Sequence, residues 1–346
     1  MKFSVGYQFL DEYENDFAES VCGLAEHIDE VYFPWLDTET CRASLINDRG
    51  NINWQGQAVL ENALRLFREH GIKLNLLFNS NCYGEKSMSV YFKNYICSVI
   101  DHIQTEAGGL EGVTTTSPFV AQMVKTYFPE VKTRASVNMR IGTIKGMQYV
   151  ADIFDGYYIQ RDFNRDLDYI REVKAWTDSQ GKTLHLLANS GCMSFCSVQT
   201  FHDNMVSHEK ESREIRNVEA CSAAACWAFY KKKENWPALL QNTWIRPEDL
   251  HHYDDLFPTV KLATRLNPRP LMVIKAYIER SFYGNTLDLL EPNHTSLLQG
   301  HFIDNKAFPA DWFERSSSCG RQCHKCNYCA EVLQQVLQKV PDIKYI

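Results

Sequence analysis

The stretch LLANSGCMSFCSVQTFHDNMVSH, residues 186–208, sets Cys192, Cys196, His202 and His208 just beyond Leu186, Leu187 and Ala188, which read as buried strand. Cys192 and Cys196 are four residues apart, so on a helical turn their thiols point the same way. Cys221 and Cys226 follow in NVEACSAAACWAF, a small-residue stretch where backbone can come close to an inorganic centre. Together these four thiols can ligate one cluster. Cys41 and Cys82 lie just after strands and can replace either member of the second pair. Three other chemistries remain open. A nucleophilic cysteine could use His202 or His208 as its base, although that needs one thiol and not four. Two cysteines and two histidines could hold zinc. Cys221 and Cys226 could also be small core residues in an alanine-rich helix, as Cys22 and Cys97 are read to be in their helical apolar patterns.

A second group sits near the C-terminus. Cys319, Cys323, Cys326 and Cys329 form C-x3-C-x2-C-x2-C, with Arg321, Gln322, His324 and Lys325 as polar spacers. Thiols this dense among polar residues are poor packing material. They suit a tetrahedral zinc site or an iron–sulfur cluster, and the C-x2-C-x2-C run leans towards iron–sulfur.

The bulk numbers favour metal over disulfides. The chain has 346 residues, 45% hydrophobic and 23% charged, with a net charge of −7. These are ordinary values for a globular protein, and the negative balance does not support a generally nucleic-acid-seeking surface. Lys231–Lys233 reads as a solvated helix face. No run of about 18 apolar residues exists, so no membrane span is expected. The opening MKFSVGYQFLDEYEND turns acidic where a signal peptide needs an apolar core, which places the protein in the cytoplasm. In that reducing compartment, 12 cysteines are expected to be free or metal-bound.

The elements that must position these residues alternate. Strands are expected at Phe3–Phe9, Glu30–Trp35, Lys73–Asn79, Gly112–Thr116, Thr133–Asn138, Gly156–Gln160, Thr183–Ala188 and Val260–Thr264. Between them VLENALRLFREHG carries Leu60, Ala63, Leu64 and Phe67 on one helical face, with Gly71 to stop it. NRDLDYIREVKAWTDSQG repeats the plan, with Asn164 as cap, Leu167, Ile170 and Val173 on one side, and Gly181 at the end. Eight such units are the bookkeeping of a (β/α)8 TIM-barrel-like fold. A doubly wound sheet is the runner-up, without a glycine-rich phosphate loop after its first strand. The barrel is expected to span residues 1–290, and residues 291–346 an extended wrap, the cysteine-rich segment and a helix AEVLQQVLQKV.

In a barrel, strand C-termini share one mouth. That gathers Trp35, Asn79, Asn81, Cys82, Thr114–Thr116, Asn138, Arg161, Asp162, Asn189, Cys192 and Arg265, although Asn and Thr there can also simply cap helices. Asn79, Asn138, Arg161, Asn189, His202 and His208 are the candidates to position a substrate. In WIRPEDL, Pro247 suits the first turn of a helix, and Glu248 and Asp249 complement its N-terminal end. Trp244 and Ile245 would staple that turn to the barrel. Arg246 either binds an anion or pairs with Glu248.

These segments together resemble the peptidase U32 family of collagenase-like proteins. LLANSGCMSFCSVQTFHDNMVSH resembles the family's N-x-G-C-x3-C-P followed by two histidines, with Ser197 where proline is usual. NTWIRPEDLHHYDDLFPTVKLATR resembles its W-I-R-P-E-D-L…K-L-x-x-R segment, and KAYIERSFYGNTLDLL and the terminal cysteines also fit. The resemblance implies a TIM-barrel-like core and, in several relatives, a four-cysteine iron–sulfur cluster, expected here as 4Fe–4S. Some relatives assist oxygen-independent hydroxylation of a quinone precursor or of RNA bases, and in one branch a cluster cysteine follows the second strand, as Cys41 does beside Arg42 here. The expectation is therefore an iron–sulfur protein acting in an oxygen-independent redox modification. Cys192, Cys196, Cys221 and Cys226 would hold the cluster, and the C-terminal four a second cluster or zinc. An electron donor or acceptor protein is implied, and a homologous partner subunit is compatible. The rivals are a metal- or thiol-dependent peptidase, for which no Ser-His-Asp or HExxH pattern is found, and a non-catalytic electron-carrying subunit.

Overall fold

The structure, a computed structural model, describes residues 1–9, 17–36, 38, 54–208 and 224–340. Eight parallel strands form its centre: β1 Lys2–Gly6, β2 Ile28–Pro34, β3 Lys73–Phe78, β4 Gly112–Thr115, β5 Lys132–Ala135, β6 Gly156–Tyr158, β7 Thr183–His185 and β8 Thr259–Leu262. Their order is β7-β6-β5-β4-β3-β2-β1-β8. The ring closes just past β7, where Lys261 N–H donates to Leu186 O at 2.8 Å and Ala188 N–H to Lys261 O at 3.0 Å. All eight expected strands are present. Closure makes the fold a (β/α)8 barrel and removes the doubly wound alternative.

The helices before the thiol segment are α1 Phe17–Cys22, α2 Trp54–Glu69, α3 Val90–Ala107, α4 Pro118–Tyr127, α5 Ile144–Gln148, α6 Leu167–Ser179 and α7 Gln199–Ser207. α2 buries Leu60, Ala63, Leu64 and Phe67, the face read from its periodicity. Gly71 after it takes φ 73°, a left-handed value that suits glycine. α6 buries Ile170 and Val173 as expected. Its cap is Asp166, whose side chain accepts from Tyr169 N–H, and not Asn164. Asn164 is fully buried and donates instead to Leu187 O at 2.7 Å and Thr243 O at 3.1 Å, tying the end of β7 to the WIRPEDL segment.

In that segment Pro247–Tyr253 is a 3-10 helix, with Trp244 and Ile245 buried beneath it. Arg246 pairs with Asp249 through two contacts of 2.9 and 2.6 Å, not with Glu248. Glu248 is occupied by Asn305, Lys306 and the N–H of Phe282. The motif is therefore a fastener.

The barrel interior departs from the usual apolar layering. Apolar residues of the strands (Val5, Val31, Phe33, Leu74, Leu76, Val113, Leu262) belong to the hydrophobic core, and alternate positions carry polar groups. Ser4 Oγ donates to Glu30 at 2.8 Å, Asn75 donates to the same oxygen at 3.0 Å, and Thr114 Oγ1 donates to Asn75. Arg134 of β5 forms an ion pair with Glu30. Lys261 stands over the ring of Tyr32, 3.7 Å from its centroid, and 5.1 Å from that of Tyr158. At Gly6 a Cβ would come 2.6 Å from Arg265 Cγ and 2.7 Å from Tyr32 Cζ, so β1 must yield space to those side chains.

Beyond residue 290 the chain stays against the barrel. Glu291 N–H donates to Asn189 O at 3.1 Å, and Gly191 N–H to Glu291 O at 3.0 Å. The segment expected to be an extended wrap also contains an antiparallel ribbon, β9 His301–Ile303 with β10 Leu337–Lys339. The terminal helix runs Tyr328–Val336 and then becomes β10, so the expected helical stretch ends four residues early.

Candidate functional site at the barrel mouth

The loop after β7 carries Cys192 and Cys196. Gly191 lets it pass close to the chain beyond β8, because a Cβ there would lie 2.1 Å from Pro292 O. Asp162, at the end of β6, accepts from Phe195 N–H and from Gln160 Nε2 at 2.8 Å. Phe195 takes φ 49°, an uncommon left-handed value for a bulky residue, so Asp162 holds the loop in a conformation it would not adopt unaided. Arg161 is buried and donates to Cys192 Sγ at 3.4 Å and to Ser190 Oγ at 3.5 Å.

Cys226, in the helix Ala225–Tyr230, comes to the same place from 30 residues further on. Burial, reinforced by the neighbouring Cys192 and Cys196 thiols, pushes its thiol up to about 11. All three also act on the buried hydroxyl of Tyr230. Cys192, Cys196 and Cys226 thus lie near enough to act on one another electrostatically. Cys221 and Cys41 lie outside the described residues. His294, which the sequence reading overlooked, backs this group. It is 1% exposed, its ring centroid lies 5.1 Å from that of Tyr230 and 5.8 Å from that of Trp227, and burial lowers it to about 4.

The second thiol group lines a pocket of about 340 Å³ containing Cys319, Cys323, Cys326 and Cys329, with Asp162, Arg165 and Ser194 on its wall. Burial, helped by the other three thiols, pushes Cys329 up to about 11. Arg165 is a half-buried cation in this wall, stacked on Trp244 at 4.7 Å and Trp312 at 5.2 Å. Its hydrogen bonds go to the carbonyls of Trp244 and Leu240, and among the described residues no carboxylate forms an ion pair with it. Arg321, inside the cysteine motif at φ 53°, donates to Asp162 O at 2.6 Å and to Asp166, and lies over the rings of Phe163 and Phe195. The two thiol groups therefore adjoin across Asp162 and Arg321. The described cysteines are free of disulfides. Among the described residues, no three His, Cys, Asp or Glu side chains already stand in metal-ligating geometry.

Beside the first thiol group, a cleft of about 490 Å³ opens at the mouth, lined by Asn81, Asn138, Met139, Arg140, Gln160, Thr200 and Asn204. Asn138 was expected there. Arg140 (φ 53°), Thr200 and Asn204 were not singled out, although all follow strands or lie on α7. Thr200 and Asn204 are one turn apart and share a face, whereas His202 is turned about 200° from Thr200. His202 accordingly does not line the cleft. His208, just after α7, lies by the loop after β3, its Cε1 3.8 Å from where a Cβ on Gly84 would sit. Asn189 is fully buried and fully used, donating to Ala263 O and Leu289 O at 2.8 Å and accepting from Ala263 N–H at 2.6 Å. Its role here is to hold the chain beyond β7 to β8, not to meet a substrate. Arg161 likewise meets Cys192 and is not part of the cleft lining.

No family profile matches the chain. An uncharacterized protease of Methanocaldococcus jannaschii, MJ1657, is 24% identical over 276 residues, covering 78% of this chain and 79% of its own. The solved U32 peptidase Mk0906 shares the fold, with a TM-score of 0.50, 13% identity, and coverage of 76% of this chain and 92% of its own. A glycoside hydrolase family 5 mannosidase from Rhizomucor miehei aligns less well, at a TM-score of 0.41 and 9% identity over 72% of this chain and 75% of its own. The closed ring of eight parallel strands defines a (β/α)8 TIM-barrel-like protein, with thiols in the loop after β7 at the C-terminal ends of its strands. These likenesses agree with the resemblance to the peptidase U32 family carried by the motifs around that rim, and the solved U32 peptidase shares the barrel fold. Among the described residues no helix is long and apolar enough to cross a membrane.

Proposed function

We propose that the protein is an iron–sulfur enzyme that carries out an oxygen-independent redox modification, of hydroxylation type, on a substrate bound in the mouth cleft. The observation that supports this reading is that Cys192, Cys196 and Cys226 all act on the buried Tyr230 hydroxyl, with Arg161 donating to Cys192 Sγ. The donor type, thiol, suits the cofactor, although among the described residues the thiols do not stand together in metal-ligating geometry. Thiols that raise one another's pKa resist ionising alone but lose their protons readily to a cationic metal core. At the second group, Arg165 is a half-buried guanidinium without an ion-pair partner among the described residues, beside four thiols, and a tetrathiolate centre with its net negative charge would neutralise it.

An iron–sulfur cluster would supply one-electron transfer at the first group. The second group would relay electrons if it holds iron–sulfur, or staple the fold if it holds zinc. The chain's own residues then have distinct tasks. Arg161 donates to a ligand sulfur and so steadies its negative charge. Asp162 fixes the loop between the two thiol groups. Asn81, Asn138, Gln160 and Asn204 offer amide donors and acceptors to a polar substrate, and Arg140 offers a cation to any anionic part of it. Cys319, Cys323 and Cys326 are exposed, so an electron donor or acceptor protein can approach the second group directly.

Anaerobic purification with iron and sulfide counting and electron paramagnetic resonance tests the proposal. Cys192→Ala is expected to abolish one signal and Cys326→Ala another. A metal-free, colourless anaerobic preparation would overturn it. Peptide cleavage is the second reading, favoured by the description of the relative as a protease. The cleft argues less for it, since the described residues lining it include no His, Cys, Asp or Glu. Cleavage of peptides by air-exposed, iron-free protein would decide in its favour.

A further inference from the structure

The barrel has a second opening, at the N-terminal ends of its strands, which the mouth chemistry does not use. A cleft of about 350 Å³ enters there and reaches Glu30, Arg134, Tyr158, His185 and Lys261. Lys261 is 9% exposed, yet among the described residues its ammonium group has no hydrogen-bond acceptor and no ion-pair partner. Its recorded neighbours are the faces of Tyr32 and Tyr158. Glu30, the nearest carboxylate in the register across β1, is already committed to Ser4, Asn75 and Arg134. The amine is therefore held in a dry, aromatic-walled place and faces a cavity.

The geometry points to Lys261 as an amine that forms a Schiff base with a small anionic carbonyl compound, of the 2-oxo acid class, entering from the N-terminal end of the barrel. Three features support the reaction and the sign of the ligand. Burial pushes the Lys261 amine down to about 7, with Glu30 and Glu291 pulling it back up and Arg265 and Arg134 pushing it further down. A large share of it is thus neutral and nucleophilic near pH 7. His185 is kept neutral, well below its ordinary pKa, by burial and then by Arg134 and Lys261, so it stays an uncharged hydrogen-bonding group in the cleft lining. In the cleft lining Lys73, Arg134 and Lys174 pair with Asp29, Glu30 and Asp178, which leaves Lys182, bonded to the Ala151 and Phe154 carbonyls, as a cation that no carboxylate of the lining pairs with and that favours an anion.

In the step itself, the amine nitrogen adds to the carbonyl carbon. Its two protons leave with the carbonyl oxygen as water, and a C=N bond remains. No oxidant or reductant is needed.

The test is reductive trapping of the full-length protein with pyruvate and sodium cyanoborohydride at pH 7, followed by peptide mass mapping. At that pH the neutral fraction of Lys261 exceeds that of a surface lysine on the order of a thousandfold, so the adduct should concentrate on Lys261. Labelling should rise with pH through a midpoint near 7. Lys261→Met should lose the adduct. Because that variant could fail to fold, Thr183→Trp, which plugs the exposed lip of the cleft and leaves Lys261 in place, should also suppress it. Labelling spread evenly over surface lysines, or unchanged by Thr183→Trp in folded protein, would overturn the proposal. The outcome is independent of whether the mouth binds iron.

Discussion

Replacing Arg134 with methionine strands a carboxylate at the centre of the barrel. Glu30 is 1% exposed and the Arg134 side chain 14%, so the pair is shielded from solvent. Burial pushes the Glu30 carboxyl up, but Arg134, Asn75 and Ser4 together outweigh it and hold the group below its ordinary value. Removing one member of a buried pair typically costs about 3–5 kcal/mol, because the remaining charge keeps its desolvation penalty. The sign with pH follows from the same balance. In the wild type, a carboxyl depressed on folding contributes stability above its unfolded pKa, and that contribution is lost as pH falls through the folded value. In Arg134→Met the burial effect is no longer outweighed by an ion pair, so the Glu30 carboxyl rises and takes up a proton on acidification. The stability deficit of the variant should therefore be largest at neutral pH and shrink towards pH 5. Equilibrium urea unfolding at both pH values measures this, with Glu30→Gln/Arg134→Met expected to recover part of the loss at pH 7. A deficit under about 1 kcal/mol, or one that does not change with pH, would refute the account of the barrel interior as a charge-balanced network.

Two further outcomes follow from buried groups around the mouth. His294, lowered from 6.5 to about 4 by burial, contributes stability that is present above its unfolded pKa and lost as pH falls from 6.5 towards 4. That amounts to about 3 kcal/mol, and His294→Phe should flatten this part of the acid-stability curve measured by thermal denaturation. Asn189→Ala removes three hydrogen bonds that join the chain beyond β7 to Ala263 and Leu289. It should cost about 2–4 kcal/mol in urea unfolding, and the variant should still take up iron at the thiols if it is kept folded.

The barrel was legible because its strands and helices obey simple periods. The Leu60, Ala63, Leu64, Phe67 face predicted by spacing is the face that α2 buries, and the eight expected strands each overlap an observed one. The misreadings have local causes. Asn164 and Asp166 are both good cap residues, and only the tertiary contacts of Asn164 with Leu187 and Thr243 decide between them. Arg246 chose Asp249 over Glu248 because the 3-10 turn places residue i+3 within reach. Asn189 was read as a mouth residue since it follows a strand, but the same position lets it clamp β8, and nothing in the linear order distinguishes the two. Among the thiols, the four-residue spacing of Cys192 and Cys196 suggested a helical turn, but that segment is bends and turns ahead of α7 with Phe195 at φ 49°, because the Phe195 N–H is held by Asp162.

The polar interior was missed although its signal was present. Ser4, Glu30, Asn75, Thr114, Arg134, His185 and Lys261 all interrupt otherwise apolar strands at the alternate positions. A strand covered by helices on its outer face must direct such residues inward, where isolated charges are costly unless matched. Arg134 answers Glu30, but nothing among the described residues answers Lys261. An ordinary barrel would fill that position with an aliphatic side chain at no electrostatic cost. A lysine retained there, dry and open to a cleft, is therefore better explained by a bound partner than by packing, and Lys261→Met separates the two accounts. If packing alone is at stake, the variant should be at least as stable as the wild type and change nothing else. If the amine is used, stability rises while carbonyl trapping disappears.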